Sequence, residues 1–241
     1  MNHLTATTAV ILAGGVGSRL RAVVNDRPKV LAAIHNRPFL AYLLDVVQDA
    51  GISQVVLCTG YMADRVEETF GPTYGPMHVS YSRELTPLGT GGALLAAMPE
   101  IKTDSVLVMN GDSFCEVDLP SMAAVHRANR AEATILLTEV PDTQRFGRVR
   151  IDDDGCLMAF EEKGAHSGPG WINAGVYLLD RRLLETIPAN RAVSLEKEIF
   201  PAWIGHGLYG HPVRGRFLDI GTPQSFAEAE DFFSSAGGTK S

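Results

Sequence analysis

The segment from Ala9 to Ala13 is apolar and passes without interruption into Gly14, Gly15, Val16, Gly17, Ser18, Arg19 and Leu20. A buried strand that feeds three glycines and then an arginine has few destinations. Glycine lets the backbone approach an anion closely and turn successive N–H groups toward it, and the planar guanidinium of Arg19 can neutralise phosphate oxygens. The segment therefore reads as a phosphate cradle at the mouth of a core strand. It is not the dinucleotide fingerprint, which needs a glycine where Leu20 stands, nor the Walker loop, which needs Gly-Lys-Ser/Thr.

Short β-branched runs recur at 54–59, 106–109, 134–138 and 175–179 and read as further strands. Between the first two, Phe39, Tyr42, Leu43, Val46, Val47 and Ala50 fall at helical spacing over 38–50, with Gly51 as the stop. Helices are also expected over 62–70, 90–98, 119–130, 195–204 and 223–233. Alternation of this kind gives an α/β fold whose mostly parallel sheet is covered by helices and binds ligands beyond the carboxyl ends of its strands. From 139 to 177 the pattern changes to short strands, turns at 152–155 and a glycine-rich stretch, 164–170, with the look of a lid over a second pocket. The expectation is one domain over 1–241: a nucleotide half at about 9–135, a second-substrate half at about 136–233, and a frayed tail at 234–241.

Composition narrows the function classes. With 241 residues, 45% of them apolar, the chain can bury a full core, yet no run approaches the roughly 18 apolar residues of a membrane span. The start carries no basic and then apolar leader, so a cytoplasmic protein without a membrane partner is expected. A net charge of −7 argues against a nucleic-acid partner while leaving room for a small anion held by a few cations. Cys58, Cys115 and Cys156 are odd in number and far apart, as reduced thiols would be.

Other residues add chemistry, each with a plainer alternative. Lys29 follows Pro28 on a stiffened turn and can return to the same phosphates; a lone lysine is also an ordinary surface charge. The run Pro87-Leu88-Gly89-Thr90-Gly91-Gly92-Ala93 opens a helix, where N–H groups and a hydroxyl can meet a base or ribose. Strand 106–109 ends in Asn110-Gly111-Asp112, and a carboxylate at that mouth suits Mg²⁺, although Asp beside Gly also forms turns. Asp219 sits in an apolar run where an unpaired carboxylate would be costly; a metal, a helix cap or a salt bridge would each explain it. Glu161, Glu162, Lys163 and Asn173 flank the presumed lid.

In this order the segments resemble the sugar-1-phosphate nucleotidyltransferase family from Ala9 to about Phe233. That resemblance implies a three-layer Rossmann-like fold with a mixed, mostly parallel sheet. It implies that Leu12, Ala13, Gly14, Gly15, Gly17, Ser18 and Arg19 hold base and triphosphate, with Pro87, Gly89, Thr90, Gly91, Asn110 and Gly111 also on the nucleotide. Arg19, Lys29 and Asp112 are then the catalytic residues, and Asp112 and Asp219 the Mg²⁺ carboxylates. Gly147, Glu162, Lys163, Asn173 and Gly175 would form the sugar-phosphate pocket. Val30 and Ser18 depart from the commoner proline and threonine without removing a needed group. The compact form is most similar to the heptose-1-phosphate guanylyltransferases, implying GTP, D-glycero-alpha-D-manno-heptose 1-phosphate and compatibility with a homodimer. Glu84 could accept from guanine N1–H and the 2-amino group, a donor pair that adenine lacks, or could be an exposed carboxylate. Mannose or another sugar phosphate, and a non-catalytic nucleotide-sugar sensor, are the alternatives.

Overall fold

A computed structural model describes residues 4–15, 17, 19–20, 23–165 and 167–234. The first strand, β1 (Thr7–Leu12), is buried along almost its whole length. After the short hairpin of β2 (Ala33–Ile34) and β3 (Arg37–Pro38) comes helix α1 (Phe39–Asp49), then β4 (Gln54–Thr59) and α2 (Ala63–Phe70). The strands β5 (Thr73–Tyr74) and β6 (Met77–Arg83) follow, then α3 (Gly89–Ala97), β7 (Ser105–Asn110), β8 (Ser113–Cys115) and α4 (Leu119–Ala128). The second half holds β9 (Ala133–Val140), the hairpin β10 (Val149–Ile151) and β11 (Leu157–Phe160), and the long β12 (Gly170–Asp180). It closes with α5 (Arg181–Glu185), α6 (Phe200–Ala202), β13 (Leu208–Val213), β14 (Phe217–Asp219), α7 (Pro223–Ala227) and α8 (Ala229–Ser234).

Eight strands form one sheet in the order β13-β9-β12-β7-β1-β4-β6-β5. The run β7-β1-β4-β6 is parallel, β12 runs against both β7 and β9, and β13 is parallel to β9. The sheet is thus mixed and mostly parallel. Because side chains alternate along a strand, Ala9 and Ile11 of β1 pack with Phe39, Leu43 and Val47 of α1, while Val10 packs on the other face with Ala93, Leu94 and Ala97 of α3. That alternation makes three layers. Among the described residues no helix is long and apolar enough to cross a membrane.

Two expectations need correction. The helix expected over 195–204 is a π-helical turn, Leu195–Ile199, followed by the three-residue α6. The Ile199 N–H donates to Ser194, five residues back, and Pro201 has no N–H with which to continue a regular ladder. The helix expected over 223–233 breaks at Glu228 into α7 and α8. In the stretch expected to form a lid, Gly164 N–H donates to the Gln144 carbonyl, Gly168 N–H to Asp142 Oδ1, and the Gly168 carbonyl accepts from Thr143. The turn at 152–155 is as expected, with Asp152 Oδ1 accepting from Asp154 and Cys156 N–H.

Candidate active site

The register of β1 sets Leu12 between Cys58 of β4 and Asn110 of β7, so the loops after three strands converge on one edge. Backbone bonds lock the first loop there. Ala13 N–H donates to the Cys58 carbonyl at 2.8 Å and Gly111 N–H to the Leu12 carbonyl at 3.0 Å. A Cβ at Gly14 would lie 2.5 Å from Glu84 Oε1, and one at Gly111 would lie 2.7 Å from the Leu12 carbonyl. Close approach, not an unusual dihedral, requires glycine at both positions.

These loops open onto a cleft of 940 Å³. Leu12, Ala13, Gly14, Gly15, Gly17, Arg19, Lys29, Glu84, Pro87, Gly89, Thr90, Asn110 and Asp112 line it, and so do Gly147, Glu162, Lys163, Asn173, Gly175 and Asp219. The two groups of sequence-derived candidates therefore share one cavity. Ser18 lies outside the described residues. Gly91 and Gly111 do not line the cleft: the N–H groups of Gly91 and Gly92 both donate to the Val193 carbonyl, at 2.8 and 3.3 Å, so these helix-start donors are committed within the protein. Thr90 reaches the cleft, but its hydroxyl donates to Glu196 Oε2 at 2.7 Å and accepts from Leu195 N–H at 2.8 Å.

Charge is arranged in pairs. Pro28 precedes a single 3-10 turn, Lys29–Leu31, that presents Lys29 Nζ to Asp112 Oδ2 at 2.8 Å. The lysine side chain is 10% exposed and the aspartate 51%. Across the small β8–β14 ladder, Asp219 pairs with Ser113, and the Asp112 carbonyl accepts from Ile220 N–H at 3.0 Å. Asp112 and Asp219 consequently stand on neighbouring positions. Asp219 is salt-bridged to Arg145 at 3.0 Å and accepts from Gly221 N–H at 2.6 Å. It is not an unpaired buried acid, so burial alone does not call for a metal there. The donor set nevertheless fits one: two hard carboxylates from neighbouring backbone positions line the same cleft, and Mg²⁺ takes one or two carboxylates with its remaining ligands from phosphates and water. Among the described residues no cluster of three or more His, Cys, Asp or Glu is placed to hold a metal.

Glu84 follows β6, accepts from Leu88 N–H at 2.9 Å through Oε2, and keeps Oε1 beside Gly14. Burial raises its carboxyl above the usual range, and the Leu88 N–H partly opposes that shift. On the other side, β12 changes register between Asn173 and Tyr177, and Gly175 at φ +77° fills the irregularity. The Asn173 and Asn110 amides donate to Tyr177 Oη at 3.0 and 3.4 Å. Burial and the Glu196 carboxylate hold the Tyr177 hydroxyl protonated, and it donates to Glu196 Oε1 at 3.1 Å.

Sequence reasoning missed Arg145 and Glu196, both of which line the cleft. The only signal for Arg145 was its place two residues before Gly147. Glu196 lay within a Ser-Leu-Glu-Lys-Glu run that reads as a solvated helix face.

Comparison with known proteins bears on what such a cleft does. The nucleotidyl transferase family profile matches residues 8–236. A D-glycero-alpha-D-manno-heptose 1-phosphate guanylyltransferase from Aneurinibacillus thermoaerophilus is 38% identical over 223 residues, covering 92% of this chain and 96% of its own length. A mannose-1-phosphate guanylyltransferase from Mycobacterium tuberculosis is 37% identical across 90% of this chain, which spans 62% of that enzyme. Among solved structures, HddC from Yersinia pseudotuberculosis superposes with a TM-score of 0.83 at 33% identity, covering 94% of this chain and 99% of its own. Its complex with GMP-PN gives 0.81 at 31% identity, with the same coverage.

Proposed function

The chain belongs to the nucleotidyl transferase family, and from that premise we propose that it transfers GMP from GTP to D-glycero-alpha-D-manno-heptose 1-phosphate, giving a GDP-sugar and pyrophosphate. The observation that carries the reading is the single cleft that joins the β1 loop and Glu84 at one end to Glu162, Lys163 and Asn173 at the other, with the Lys29–Asp112 pair among its lining. Two substrates can lie in it side by side.

A phosphate oxygen of the sugar 1-phosphate attacks the α-phosphorus of GTP in line; the new O–P bond forms as the bond to the β-phosphate oxygen breaks. The attacking oxygen is already ionised at neutral pH, so no protein base or nucleophile is needed. Arg19 and Lys29 spread the charge of the departing pyrophosphate, and Lys163 anchors the sugar phosphate. Asp112 and Asp219 would hold Mg²⁺, which supplies charge neutralisation between phosphate oxygens when bound. Glu84 is fixed by Leu88 with one oxygen facing the β1 loop, an arrangement suited to guanine N1–H and the 2-amino group.

The test is pyrophosphate release with Mg²⁺ across four nucleoside triphosphates and a panel of sugar 1-phosphates. Turnover confined to GTP and the heptose phosphate establishes the reading. A preference for mannose 1-phosphate, as the name of the mannose-1-phosphate guanylyltransferase relative suggests, would keep the reaction and change the sugar. Absence of turnover throughout would return the protein to a sensor role.

A further inference from the structure

Glu196 has no part in the scheme above, yet its carboxylate lines the cleft and is held by three hydroxyl donors. Thr90 Oγ1 and Ser194 Oγ both donate to Oε2, at 2.7 and 2.9 Å, and Tyr177 Oη donates to Oε1 at 3.1 Å. Neither small hydroxyl is free to turn away, because Thr90 Oγ1 also accepts from Leu195 N–H and Ser194 Oγ from Lys197 N–H. Tyr177 is fixed in turn by Asn173 and Asn110. An ionised carboxylate offers about four acceptor positions; three are filled from within the protein, and Glu196 lines the cleft where a ligand could fill the fourth.

A negative group with one acceptor position left suits a neutral hydroxyl and repels a phosphate. Its partner Tyr177 shares Asn173 with the sugar end of the cleft, whereas the triphosphate belongs at the glycine loop. We propose that Glu196 is a specificity-determining residue that accepts a hydrogen bond from a ring hydroxyl of the sugar 1-phosphate, with Thr90, Ser194 and Tyr177 as the positioning residues that aim it. The proposal rests on the reading of this cleft as a sugar-1-phosphate nucleotidyltransferase site. The π-helical turn Leu195–Ile199, capped by Ser194, sets Glu196 against Thr90 of α3 and Tyr177 of β12 at once.

The experiment begins with the wild-type enzyme and whichever sugar 1-phosphate of the panel it turns over. Glu196→Gln preserves size and removes the charge, and Tyr177→Phe leaves the carboxylate but removes one of its holders. For Glu196→Gln the sugar-phosphate KM should rise about ten- to hundredfold, the loss expected of a charge-assisted hydrogen bond, with the GTP KM changed less than about twofold. Tyr177→Phe should move the same KM in the same direction by a smaller factor. Monodeoxy analogues of the sugar phosphate complete the cycle: one analogue should be poor for the wild type and no poorer than the parent sugar for Glu196→Gln. Equal shifts in both KM values, or a full deoxy penalty retained by the variant at every position, would overturn the proposal while leaving the enzymatic function standing. Absence of wild-type turnover with every sugar phosphate would overturn both. Circular dichroism separates a misfolded Glu196→Gln from a specific loss, and Tyr177→Phe then decides the matter on its own.

Discussion

Lys29 and Asp112 are 83 residues apart in sequence, and their side chains meet at 2.8 Å. The pair joins the turn after the β1 loop to the end of β7, and it is asymmetric, with a nearly buried ammonium against a half-exposed carboxylate. Removing the acid strands the cation, whereas removing the cation leaves the acid in water.

Asp112→Asn should therefore abolish most turnover and also lower stability by about 1–2 kcal/mol, since Lys29 would be left without its charged partner. Lys29→Met should be milder on stability while reducing kcat/KM by roughly 10²–10³, the usual effect of losing one preorganised donor. Urea unfolding beside steady-state kinetics checks both; an Asp112→Asn enzyme with normal Mg²⁺-dependent turnover would remove the metal assignment.

Arg145 competes with any cation for Asp219. Replacing it with methionine removes a half-exposed ion pair worth at most about 1 kcal/mol. Mn²⁺ binding without substrates, followed by electron paramagnetic resonance, should then tighten by roughly three- to fivefold. Unchanged affinity would place the metal away from Asp219.

Glu84 gives the nucleotide end a pH dependence. Its carboxyl is raised in the folded protein, so the neutral form favours folding below the ordinary carboxylate range, and that stability is withdrawn as pH rises through the raised value. The proposed contact to guanine needs the ionised form, so GTP affinity should weaken as pH falls through the same window. Glu84→Gln should flatten that profile and erode the preference for GTP over UTP, as isothermal titration would reveal. A profile identical in both proteins would dismiss Glu84 as the base contact.

Gly175→Ala should destabilise the fold by about 1–3 kcal/mol and lower turnover more than tenfold. The residue sits at φ +77°, and a methyl there would lie 2.7 Å from Ser113 Oγ and 2.8 Å from Asn110 Nδ2. Thermal unfolding and kinetics on one preparation test this; wild-type values would mean the strand absorbs the methyl by shifting register.

What could be read from the sequence was what local chemistry dictates. β1, β4, β7, β9 and β12 announced themselves as β-branched runs because both faces of each are covered, and the glycine loop was recognisable because glycine is its mechanism. The strands Met77–Arg83 and Leu208–Val213 escaped notice, one mixing His, Ser and Arg into its pattern and the other carrying Gly210 and Pro212. Gly91 and Gly111, singled out as nucleotide contacts, are also positions where the protein packs closely on itself, against Val193 and the Leu12 carbonyl. Arg145 and Glu196 were invisible because their meaning comes from Asp219 and Thr90, 74 and 106 residues away. No window along the chain contains such information.

The β8–β14 ladder has a consequence for the order of events in the protein's life. Phe217–Asp219 is synthesised late, and only when it zips onto Ser113–Cys115 does Asp219 arrive beside Asp112. A nascent chain still short of that strand carries the β1 loop and Asp112 but owns half of the carboxylate pair. The pair is therefore a product of late, long-range closure: no shorter stretch of the chain can bring Asp219 to Asp112.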